Sequence, residues 1–174
     1  MIGRRVRGWR GVEGDEPSYL RAARWADAEA TEDVFDGDTW DRADDTWRIA
    51  VERHCIVVGT ARYDYVPVTV TLLNTPPEVE SLDAFDHVVE ADVLLPSGKM
   101  AVTGATELPN EFEPVPLPAG RYRVRVVYAQ TDRRPVRCDL EGVGDHLEYQ
   151  LTMWPTDAEL GVHVLKQGPS PWAY

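Results

Sequence analysis

Residues 117–128 constrain this chain more than any other stretch. Leu117-Pro118-Ala119-Gly120 is a turn signal, and it feeds Arg121-Tyr122-Arg123-Val124-Arg125-Val126-Val127-Tyr128, whose side chains alternate with period two. Tyr122, Val124, Val126 and Tyr128 fall on one face and Arg121, Arg123 and Arg125 on the other, the pattern of an antiparallel strand with one side on a core. The same alternation recurs along the chain. Tyr63–Leu73 places Val66, Val68, Val70 and Leu72 inward and Thr69 and Thr71 outward, with Pro67 marking an edge or bulge. Asp86–Leu95 gathers Val89, Ala91, Val93 and Leu95, and His146–Trp154 gathers Leu147, Tyr149, Leu151 and Met153. Arg48–Val58 is rich in Ile and Val, Lys99–Thr106 follows the Pro96-Ser97-Gly98 turn as the second arm of an expected hairpin, and Val162–Lys166 closes the series.

Before these strands, Ser18 stands where a helix cap belongs, and Tyr19, Leu20, Ala23, Ala26 and Ala30 recur at helical spacing through Tyr19–Thr31. Seven short strands and one helix predict an all-β fold, a two-sheet antiparallel β-sandwich with a short N-terminal helix. The chain of 174 residues suits one such domain, long enough to bury roughly two thirds of its unfolded surface. Residues 1–17, rich in Gly and Arg, read as a flexible basic arm, and 18–174 as the single sandwich domain. No run approaches the ~20 apolar residues of a membrane span, and the basic start lacks the apolar stretch of a signal peptide. The expected setting is therefore cytoplasmic, with Cys55 and Cys138 as reduced thiols. The strong preference for Arg over Lys, with abundant Ala, Val and Gly, points to a GC-rich bacterial source.

A net charge of −12 argues against nucleic acid as the main partner, because polyphosphate binding is driven by cationic side chains that release counterions. The charge is also segregated. Residues 13–45 hold twelve acids and three bases, and residues 63–118 hold ten acids and Lys99. In contrast, residues 119–138 hold six arginines and Asp132. Arginines on the outward face of the 121–129 strand are expected to meet outward acids on neighbouring strands; the competing reading is an arginine patch for an anionic ligand.

Motifs that would carry chemistry are weak. Asp33, Asp36, Asp38, Asp41, Asp44 and Asp45 supply oxygens of the kind calcium takes, yet the glycine between Asp36 and Asp38 and the spacing depart from a calcium loop. His54, His87, His146 and His163 lie on separate segments with no His-x-His pair, so no metal site is expected. No Gly-x-Ser-x-Gly elbow is present, and Cys55 sits among apolar neighbours, so no nucleophile stands out and no cofactor is implied. Trp9, Trp25, Trp40 and Trp47 crowd the acidic N-terminal third, where they act either as core cover or as part of an acidic, aromatic binding surface.

The run Leu117-Pro118-Ala119-Gly120-Arg121-Tyr122-Arg123-Val124-Arg125, with Tyr149-Gln150-Leu151-Thr152-Met153-Trp154-Pro155 and Val164-Leu165-Lys166, resembles the C-terminal part of small, uncharacterised bacterial β-rich proteins. It is also similar to the competence protein J type of nuclease inhibitor. The resemblance covers about the last 60 residues and transfers no functional residues. Together these readings predict a non-catalytic cytoplasmic binding protein, an acidic inhibitor or immunity-type protein whose carboxylates pair with a basic protein such as a nuclease or toxin. The partner-binding candidates are Asp36, Asp38, Trp40, Asp41, Asp44 and Asp45. The rival expectation is a ligand- or metal-binding sandwich, or an enzyme, with a cleft between the sheets.

Overall fold

A computed structural model describes residues 6–7, 22–30, 47–59, 68–78, 81–104, 113–129 and 148–169. They form two sheets. The strands are β1 (Val6–Arg7), β2 (Ala22–Asp27), β3 (Ile49–Glu52), β4 (Cys55–Gly59), β5 (Val68–Leu72), β6 (His87–Leu95), β7 (Lys99–Gly104), β8 (Val115–Pro116), β9 (Gly120–Ala129), β10 (Glu148–Pro155) and β11 (His163–Lys166). One sheet has six strands in the order β1-β5-β10-β9-β6-β11, the other five in the order β3-β4-β2-β7-β8. Pairing is antiparallel except between β5 and β10. Among the described residues no helix is long and apolar enough to cross a membrane.

The alternation of the 121–128 run holds as read. Tyr122, Val124, Val126 and Tyr128 are buried in the core, and Val126 pairs with Leu151 on one side and Val89 on the other. Tyr149, Leu151 and Met153 join them from β10, as do Ala91, Val93 and Leu95 from β6. The opposing sheet contributes Trp25, Ile49, Ile56, Val58 and Met100. The expected sandwich is therefore present, its core formed where the two inner faces meet.

Three local expectations are corrected. The helix is not supported: Ala22–Asp27 is a central strand paired with β4 and β7, and the rest of the expected span up to Arg21 lies outside the described residues. Alanine spacing favours a helix in isolation, but two hydrogen-bonded neighbours and the burial of Trp25 outweigh that propensity. Arg48–Val58 is two strands rather than one, a hairpin reversing at Arg53-His54, with Glu52 opposite Cys55. Pro96-Ser97-Gly98 does not close a hairpin within one sheet; it carries the chain from β6 in the six-stranded sheet to β7 in the other. Gly98 sits at φ +69°, and a Cβ there would stand 2.8 Å from the Leu117 carbonyl oxygen, which lies on the return crossing from β8 to β9. The two crossings are tied by Leu117 N–H donating to the Gly98 carbonyl at 3.0 Å. Tyr122 Oη donates to the Pro118 carbonyl at 2.6 Å and secures the start of β9.

Candidate functional site

The six residues Asp36, Asp38, Trp40, Asp41, Asp44 and Asp45 lie outside the described residues, as do His146 and Cys138. Both flanks of that acidic segment are described, and both are tied to the sandwich by buried polar groups. On the N-terminal side, Asp27 is buried at the end of β2. Its Oδ1 accepts from Glu29 N–H and its Oδ2 from Ser97 N–H, each at 2.9 Å, so one carboxylate joins the turn after β2 to the corner after β6. Ala28 N–H donates to the Lys99 carbonyl at 2.8 Å, and Lys99 Nζ meets Glu29 Oε1 at the surface.

On the C-terminal side, Trp47 is exposed while Arg48 is fully buried, with its backbone in the left-handed region at φ 59°. That conformation is strained for a side-chain-bearing residue, and surrounding contacts hold it. The Arg48 carbonyl accepts from Tyr128 Oη at 2.7 Å and from Gly59 N–H at 2.9 Å. Its guanidinium lies 5.6 Å from the Tyr128 ring centre and donates through Nη2 to the carbonyls of Gly168, at 2.8 Å, and Pro169. Beside it His87, also fully buried, donates from Nε2 to the Trp47 carbonyl at 3.2 Å and accepts at Nδ1 from Gly168 N–H at 3.4 Å. A neutral ring with its proton on Nε2 satisfies both bonds. Burial, then the neighbouring Arg48 charge, push the His87 pKa down to about 4, and the bond to Trp47 pulls weakly the other way. The Tyr128 hydroxyl is pushed up by complete burial.

The outward arginines of β9 meet carboxylates, as the alternation implied. Arg123 donates from Nε to Glu90 Oε2 at 3.1 Å and from Nη1 to Asp92 Oδ1 at 3.0 Å. Arg125 donates to Glu90 Oε1 at 2.8 Å and lies over the Trp154 ring, 5.5 Å from its centre. Arg121 pairs with Glu159 at 2.8 Å. This pairing neutralises the described arginines of that run; Arg133, Arg134 and Arg137 lie outside the described residues. The face is also drier than the alternation suggested, because Arg123 and Asp92 are buried beneath the connection from β10 to β11. Asp92 Oδ2 accepts from Leu160 N–H at 2.6 Å and Gly161 N–H at 2.7 Å, and Arg123 Nη1 also donates to the Gly161 carbonyl at 2.6 Å. Charge alternation pointed to the ion pairs; nothing in it showed that a distant loop would close over them.

Cys55 is a free, fully buried thiol whose pKa burial pushes up to about 12, so it is a poor nucleophile. His54 Nδ1 donates to the Leu94 carbonyl at 2.9 Å and His163 Nε2 to the Leu160 carbonyl at 2.8 Å. Among the described residues no three His, Cys, Asp or Glu side chains are placed to hold a metal ion.

No protein-family model matches the chain, and no curated protein does. Two solved structures share its fold. One is ComJ, described as an inhibitor of the DNA-degrading activity of NucA, from Bacillus subtilis: TM-score 0.56 and 13% identity over 90% of this chain and 100% of that one. The other is described as crocagin biosynthetic gene J: TM-score 0.52 and 20% identity over 78% of this chain and 91% of that one. The resemblance to the competence protein J type, read from the C-terminal strands, is borne out as a likeness of fold across most of the chain.

Proposed function

We propose that this chain is a non-catalytic binding protein, an inhibitor or immunity-type protein that docks on a basic nuclease or toxin. The observation that carries the reading is the charge balance of the described surface. The three outward arginines of β9 are matched by carboxylates, Arg121 by Glu159, while Asp83, Glu113 and Asp157 are exposed outside those pairs. Displayed anions beside neutralised β9 arginines steer a basic partner and compete with that partner's own polyanion. A protein of the same fold being described as a nuclease inhibitor supports the same class of role. The acidic segment carrying Asp36, Asp38, Trp40, Asp41, Asp44 and Asp45 is the proposed recognition element, in a cytoplasmic setting; its flanks at Asp27 and Arg48 fix where it leaves and rejoins the sandwich.

Affinity capture from source cells tests the proposal. The expected catch is a basic protein whose nuclease or toxin activity falls as purified chain is added to one equivalent. Replacing Asp36, Asp38, Asp41, Asp44 and Asp45 by asparagine should slow association and flatten its salt dependence while leaving the melting curve in place. Failure to capture any such protein, or an unchanged association rate at low salt, rejects the reading. Loss of a stoichiometric calcium ion with earlier melting identifies the segment as a metal loop instead.

A further inference from the structure

Beyond β11, residues 167–169 run past the start of β6. A Cβ on Gly168 would stand 2.4 Å from the Asp86 carbonyl oxygen and 3.2 Å from the His87 Cβ, so the two segments meet with no room for a side chain. Two buried side chains fasten the crossing. Arg48 Nη2 donates to the carbonyls of Gly168, at 2.8 Å, and Pro169, and Gly168 N–H donates to His87 Nδ1 at 3.4 Å. Both fasteners are also held by bonds that do not involve this segment. The Arg48 carbonyl accepts from Tyr128 Oη and Gly59 N–H, and the His87 ring donates from Nε2 to the Trp47 carbonyl. That ring lies edge-on to Tyr128, 5.3 Å between centres, and Tyr128 lies edge-on to Tyr149 at 5.4 Å. Residues 167–169 can therefore leave while Arg48 and His87 stay seated.

The two His87 nitrogens play unequal parts. Nε2 carries a proton in the neutral and the charged ring alike, so the bond to Trp47 survives protonation. Nδ1 accepts only while the ring is neutral. Once protonated it turns an N–H toward the Gly168 N–H, and an attraction becomes a repulsion. The new charge would also face Arg48, whose guanidinium lies 5.6 Å from the centre of the same Tyr128 ring. Among the other ionisable groups of this corner, the Tyr128 hydroxyl is committed to the Arg48 carbonyl and Lys166 Nζ to the Leu82 and Asp83 carbonyls. Asp83 and Asp86, on the approach to β6, bring carboxylates to it.

We infer that residues 167–169 form an acid-released strap: neutral His87 latches Gly168 to the sandwich, and protonation at Nδ1 unlatches the segment while both sheets stay folded. Release takes two carbonyl acceptors from the Arg48 guanidinium beside a charged His87, so a cationic spot opens in a chain of net charge −12. Amide exchange followed by NMR on the full chain tests the strap. With the latched ring titrating at about 4 and the released ring at the ordinary 6.5, Gly168 protection, corrected for intrinsic rate, should fall about tenfold from about pH 7.5 to about pH 5.5. The Val126 and Leu151 amides should keep their protection. His87→Gln, whose side-chain amide carries both an acceptor and a donor, should keep Gly168 equally protected at both pH values, and Asp86→Asn should behave as wild type. If the glutamine variant does not fold, nitrogen shifts of the wild-type ring decide, with a neutral ring protonated on Nε2 expected at the higher pH. Any of four results overturns the strap: a ring protonated on Nδ1 alone, pH-independent Gly168 protection in wild type, a fall shared by Val126 and Leu151, or a fall that persists in folded His87→Gln or vanishes in Asp86→Asn.

Discussion

The outer faces of the two sheets solve the same problem in different ways. On the six-stranded sheet Glu90, Asp92, Arg123 and Arg125 form a charged stripe, half-buried at Glu90 and Arg125 and closed at Asp92 by the loop after β10. On the five-stranded sheet Ala26, Ala50, Cys55, Val57, Ala101 and Thr103 are all buried although they point away from the shared core. That sheet is covered on both faces. The comparison teaches that alternation in sequence reports the chemistry of each face, whereas coverage is set by what the rest of the chain lays over it.

The sharpest way to break this comparison is to place a charge on each outer face. Val57→Lys should cost at least about 4 kcal/mol, because a second cation would be buried directly opposite the buried Arg24. Thr152→Asp, opposite Arg125 on the half-buried face, should stay within about 1 kcal/mol. Denaturant melts of the two variants decide it; comparable losses would mean the two faces are covered alike.

Next in size is the ion pair itself. Arg123→Ala leaves Asp92 buried without its cation and should cost about 3–5 kcal/mol, whereas Arg123→Ala combined with Asp92→Ala should recover part of that loss. A double variant no more stable than the single would show that Asp92 acts chiefly by holding Leu160 and Gly161.

A smaller effect is expected at His87. Its folded pKa, about 4, lies below the ordinary 6.5, so the unfolded chain binds the extra proton between these values. The His87 contribution is therefore fully present above pH 6.5 and is lost as pH falls toward 4, by up to about 3 kcal/mol. Protonation at Nδ1 would also set a proton against Gly168 N–H. Melts of wild type and His87→Gln across this range should differ by close to one proton in slope, and parallel curves would contradict the assignment.

The smallest effect concerns Cys55, on the doubly covered sheet. A thiol reagent at neutral pH should leave it unmodified in the folded protein and label it on unfolding, alongside Cys138 if that thiol is reduced. Rapid labelling of Cys55 in the folded state would show that the five-stranded sheet opens on its outer side.

The difference between the sheets also explains which parts of the chain were legible. Strands β6, β9 and β10 carry apolar residues at every second position with charge or polarity between them, and that pattern marked their inward faces and pointed to pairing of the outward arginines with acids on neighbouring strands. Ala22–Asp27 and Cys55–Gly59 lack the contrast because both faces are dry, so β2 read as a helix and the β3–β4 hairpin as one strand. Tertiary structure alone decided that Pro96-Ser97-Gly98 turns between sheets, since a turn's local chemistry does not say which sheet the next strand joins. It also decided that Asp92 and Arg123 hold a loop some forty to seventy residues away, and that Arg48, a charge by sequence, lies buried beneath the C-terminal segment. Such contacts depend on long-range closure, whose cost is met only when the whole core forms. Local patterning therefore determined the strands and their charges, and the assembled sandwich decided which of those charges face water.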